Sequence, residues 1–67
     1  MPAPTFATTD VLGELRRELA LRQRVYPAWI AKGTLAQAKA DRQIALLKAA
    51  IAKIEETRSY EEVRRGA

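Results

Sequence analysis

The chain has neither cysteine nor histidine among its 67 residues. The first absence excludes a disulfide framework, and the two together remove the usual zinc ligands. Glycine is scarce, with three residues, and nowhere forms the clustered loop that cradles phosphate. The single serine, Ser59, has no candidate base beside it, and Glu55, Glu56, Glu61 and Glu62 read as a solvated terminal cluster. Calcium-loop spacing is absent as well. These gaps predict a protein that is not an enzyme and holds no metal or cofactor. No apolar run approaches the ~20 residues that span a bilayer, and Met1 to Thr5 lacks the basic and apolar regions of a signal peptide. Cytoplasmic residence without a membrane partner is the expectation.

A chain of this length makes one domain at most and buries little of its surface, so a lone pair of helices needs a staple. With disulfides and metals excluded, self-association is the remaining one. The charge is uneven: 12 Lys+Arg stand against 8 Asp+Glu, a formal +4. Between Leu15 and Ile54 nine bases meet only Glu18 and Asp41, so the body is basic and the ends are acidic. A positive body attracts nucleic acid, anionic lipid or an acidic protein surface, although a Lys/Arg-rich solvated helix face serves solubility alone.

Pro2 and Pro4 predict a stiff, non-helical, flexible lead-in over residues 1–7. A hairpin is expected over 8–58, with a helix from about 9 to 32, a turn at 33–34 and a second helix from about 35 to 57. Thr8 or Thr9 supplies the first cap, with Asp10 and Glu14 near the positive helix end. Leu12, Leu15, Leu19, Arg22, Tyr26 and Trp29 recur at steps of three and four, and Leu21, Val25 and Trp29 form an adjoining stripe. Pro27 lies inside this pattern and predicts a bent but continuous helix.

Gly33 suits the left-handed residue that ends a helix, and Thr34 with Gln37 three residues later matches a capping box that starts the next. The second helix carries Ala40, Ile44, Leu47, Ile51 and Ile54 in coiled-coil-like spacing, with alanines that raise helix propensity. Residues 59–67 form either a tail or a short third helix, with Ser59 to Glu62 as a further capping box, or a frayed end of the second helix. The fold class is therefore all-α, an antiparallel helical hairpin that dimerises into a four-helix bundle.

A turn centred near Gly33 makes residue numbers of facing positions add to about 66, which pairs Leu12 with Ile54, Leu19 with Leu47 and Tyr26 with Ala40. Arg22 then falls on the apolar seam opposite Ile44, with Asp41 one turn away as its ion-pair partner or as acceptor for the Tyr26 hydroxyl. Arg22, Val25, Tyr26 and Trp29 beside Pro27 form the candidate partner-binding cluster, because Arg, Tyr and Trp are enriched in recognition anchors. The alternative is that Tyr26 and Trp29 plug the turn end of the core. Nucleic acid is the second candidate partner, through phosphate contacts by Arg16, Arg17 and Arg24, although two long helices with a short turn do not read as a helix-turn-helix.

The stretch Glu14-Leu15, Glu18, Arg22, Val25-Tyr26-Pro27, Trp29, Gly33, Leu35, Ala40, Ile44 and Ala50-Ile51 resembles a group of short bacteriophage and prophage helical proteins. The likeness covers a little over half the chain, and its specific part is the Val-Tyr-Pro element followed by a glycine turn. It implies a phage setting in the bacterial host cytoplasm, where small accessory proteins bind and redirect a host protein. No catalytic or binding residue is implied by it.

Overall fold

A computed structural model describes residues 5–66, apart from the side chain of Arg65. Of the lead-in expected over residues 1–7, Met1–Pro4 lie outside the described residues, as does Ala67, and Thr5–Ala7 are non-helical. Two helices account for the fold: α1 spans Thr8–Ala31 and α2 spans Gln37–Gly66. They pack side by side as an antiparallel hairpin 52 × 28 × 16 Å in extent. The smallest dimension leaves room for one layer of helices, each about 10–12 Å across.

The first cap differs from the expectation. Ala7, in extended conformation, is the N-cap and offers no side-chain bond. Its carbonyl accepts from the Asp10 and Val11 amides. Thr8 instead donates its hydroxyl across the hairpin to Glu61, at 3.1 Å to Oε2. Pro27 sits within a helix that continues to Ala31. Proline lacks an N–H, so the carbonyl of Gln23 has no donor four residues on.

Gly33 has φ 79°, the left-handed conformation expected of it, and a β-carbon there would meet nothing within 4 Å. The backbone angle, not crowding, is what favours glycine. Around it the Gly33 amide donates to the Ile30 carbonyl and the Thr34 amide to the Trp29 carbonyl, both at 3.0 Å. These bonds close the last turn of α1. The Thr34 hydroxyl also donates to the Trp29 carbonyl, at 3.1 Å.

Thr34 therefore finishes α1 rather than starting α2. The expected capping box is not formed, because Gln37 donates its amide to Asp41 Oδ1 at 2.9 Å. The connection runs over residues 32–36, with Ala36 O accepting from the Ala40 amide. At the other end, α2 continues without interruption past residue 57 to Gly66, so there is no separate third helix among the described residues. The Arg58 to Glu62 contact, 3.8 Å, lies one turn apart on this extension.

The longer connection has its midpoint at Thr34. Partnered residue numbers add to 65 for Arg22 with Gln43, to 69 for Tyr26 with Gln43 and for Thr8 with Glu61, and to 71 for Arg16 with Glu55, a spread that takes in the expected 66. Leu12, Leu47 and Ile51 form the buried core, and Leu15, Leu19 and Ile54 pack partly against it. Among the described residues, Tyr26 and Ala40 are the other buried hydrophobic ones. Full burial of one such large side chain contributes about 1.5–3 kcal/mol, so a five-residue interior leaves little margin against chain entropy.

Candidate interaction surface

Two polar contacts mark the two flanks of the hairpin. Arg16 reaches Glu55 at 3.1 Å, while Arg22 Nη1 donates to the Gln43 carbonyl at 3.2 Å. At about 100° per residue, Arg16 and Arg22 lie on opposite sides of the Leu12, Leu19 and Tyr26 line that faces α2. Arg16 and Glu55 thus bridge one flank, which is polar. The other carries Val11, Leu15, Val25 and Trp29 from α1 with Leu46 and Ala50 from α2.

Arg22 is on this apolar flank, but its partners are not the ones expected. Its Nε donates to Glu18 Oε1 at 2.9 Å, one turn back on α1. Asp41 takes no part: it is exposed and bonded to Gln37. The Tyr26 hydroxyl likewise donates to Gln43 Oε1, at 2.7 Å, and not to Asp41. Gln43 serves both anchors, its backbone carbonyl holding Arg22 and its side chain holding Tyr26. The face of α2 explains the substitution: Gln43 lies on the side of the Ala40 and Leu47 line that Arg22 and Tyr26 reach, whereas Asp41 lies on the other side beside Gln37. A polar side chain beside the Ala40, Ile44 and Leu47 stripe was the available signal.

The four candidate partner-binding residues therefore separate. Tyr26 is 7% exposed and packs as core, the alternative left open for the aromatic pair. Trp29 is 46% exposed, with its ring centroid 5.6 Å from that of Tyr26. Thus the turn end is plugged by Tyr26 alone, and Trp29 rests on it from outside. Val25 and Arg22 are half-buried beside Trp29 on the same flank. Leu46, 55% exposed on α2, is a residue of this surface that the stripe pattern alone did not single out as exposed.

The three candidate phosphate contacts do not form one patch. Arg16 is paired with Glu55 on the polar flank, and Arg17 is paired with Glu14 at 3.1 Å. Arg17 and Arg24 lie two turns apart on the outer side of α1, away from α2, with exposed Leu21 beside them. Among the described residues, no group of three or more carboxylates converges, and no helix is long and apolar enough to cross a membrane. No family model, curated protein or solved structure matches the chain.

Proposed function

We propose that the chain is a non-enzymatic accessory protein of the phage type, which works as a homodimeric four-helix bundle in the bacterial cytoplasm by binding a host protein. The observation that carries this reading is the apolar surface left uncovered by the hairpin: Trp29, Leu46 and Leu21 are each at least two-fifths exposed. These side chains fall in two places. Trp29 and Leu46 lie on the apolar flank, where burying them completes the core. Leu21 lies on the outer side of α1 beside Arg17 and Arg24, a small apolar anchor in a basic setting that suits an acidic protein surface.

The placement of Arg16 on the polar flank, apart from Arg17 and Arg24 on the outer side of α1, argues against the nucleic-acid reading, which needs several cations along one surface. The test is affinity capture from bacterial lysate with and without nuclease, using the natural sequence and Leu21→Asp. The expected result is a protein retained after nuclease treatment and lost with Leu21→Asp, while both baits keep the same mass in solution. Retention of nucleic acid alone, or equal capture by both baits, would overturn the reading.

A further inference from the structure

We propose that the apolar flank seats a second copy of this chain, docked antiparallel with α1 over α1 and α2 over α2, about a two-fold axis crossing α1 between Glu18 and Arg22. This rests on the self-association proposed above and adds its face, direction and register.

The flank has an internal symmetry. Its α1 edge is Val11, Leu15, Glu18, Arg22, Val25 and Trp29, at alternating steps of four and three residues. That spacing keeps a seam turned toward a neighbouring helix. The hairpin fully buries none of the six: five are half-buried and Trp29 is exposed. From either end the order is two apolar residues, two charges of opposite sign, then two apolar residues. Turned end for end on a copy of itself, the edge sets Val11 against Trp29, Leu15 against Val25, and Glu18 against Arg22, with each pair of numbers adding to 40. A closed two-fold contact requires this reciprocity, because if residue i meets j then j must meet i.

The α2 edge of the flank obeys the same axis. It consists of Lys39, Gln43, Leu46, Ala50, Lys53 and Thr57, again at steps of four and three. Reversed on itself it sets exposed Leu46 against half-buried Ala50, a large residue against a small one, with its centre at position 48. Within the hairpin, position 20 of α1 lies across from roughly positions 45 to 51 of α2, given contacts whose numbers add to between 65 and 71. One axis therefore serves both helices.

Charge selects this arrangement over its rivals. A parallel docking would set Glu18 on Glu18 and Arg22 on Arg22 of the second copy, which is repulsive. Laying α1 over the second copy's α2 would put Arg22 near Leu46 and Trp29 near Lys39, leaving the guanidinium without a new acid. With α1 over α1, two carboxylates and two guanidiniums alternate around the axis, and each Arg22 keeps its Glu18 and Gln43 bonds. The area suffices: about 36 Å of α1 length by two helix widths gives a footprint of roughly 700 Å², close to the ~800 Å² per partner of a standard interface.

The test uses the full chain, Glu18→Arg and Arg22→Glu, measured by sedimentation equilibrium with helicity checked by circular dichroism. The natural chain is expected at twice the chain mass. Each variant alone brings four like charges to the axis and associates at least about a hundredfold more weakly. An equimolar mixture restores dimerisation to within about tenfold of the natural chain, because every charge then meets its opposite across the interface although each chain alone carries like charges one turn apart. A monomeric natural chain would overturn the self-association itself. A dimeric natural chain whose mixed variants associate no better than either alone would overturn this register while leaving self-association standing, and a mass above the dimer would overturn the closed two-fold.

Discussion

The two flanks of the hairpin are built from the same two helices and end up with opposite chemistry. On one, Arg16 spans to Glu55 and charged side chains reach water, so nothing further is needed to solvate it. On the other, Trp29 and Leu46 are exposed, and Glu18 pairs with Arg22 at 2.9 Å with both side chains only half-buried. A helix buried against one neighbour needs one narrow apolar stripe, and α1 has two. The second stripe is the part of the helix that the hairpin only half buries.

Substitutions separate what holds the hairpin from what its flanks do. Leu12→Ala should have the largest effect, since Leu12 is 0% exposed within the buried core cluster. The expected loss is about 3 kcal/mol, read by urea unfolding, and it should fall on folding itself, with monomeric helicity collapsing. Trp29→Ala removes an anchor of the apolar flank and should weaken self-association by about 2 kcal/mol in a dilution series, yet leave the isolated hairpin's helicity nearly unchanged. If both substitutions act equally on the hairpin, the distinction between core and flank fails.

Smaller effects sharpen the comparison. Tyr26→Phe deletes the hydroxyl that donates to Gln43 at 2.7 Å, and about 1 kcal/mol of stability should go with it in chemical denaturation. Gly33→Ala should cost about 1 kcal/mol through the left-handed backbone, with helix content between residues 8 and 31 preserved in circular dichroism. Arg16→Ala on the polar flank should change thermal stability by no more than about 0.5 kcal/mol, and less in high salt, with no change in solution mass.

Much of this was legible before the structure. Leucine periodicity marked both helices, and Gly33 marked the turn because only one residue type takes that backbone angle without strain. The ends were less legible. Thr34 and Gln37 have the right identities for a capping box, but the Trp29 carbonyl and Asp41 compete for their side chains and win. That outcome lengthened the connection, and Gln43 rather than Asp41 stands beside Tyr26 because it lies on the side of α2 that Tyr26 reaches. The split of the aromatic pair was equally hidden, since Tyr26 and Trp29 share a stripe at this spacing and only the position of α2 decides which is covered. The second seam was masked by its own charges: Glu18 and Arg22 interrupt an apolar pattern that counting hydrophobic residues cannot follow through them.

The central claim is that this hairpin is half of a finished core. It is tested most directly by thermal unfolding of the natural chain followed by circular dichroism over a hundredfold range of protein concentration. Coupling of folding to self-association predicts a midpoint that rises steadily with concentration. A midpoint that stays constant over that range, for a chain that sediments as a monomer, would contradict it.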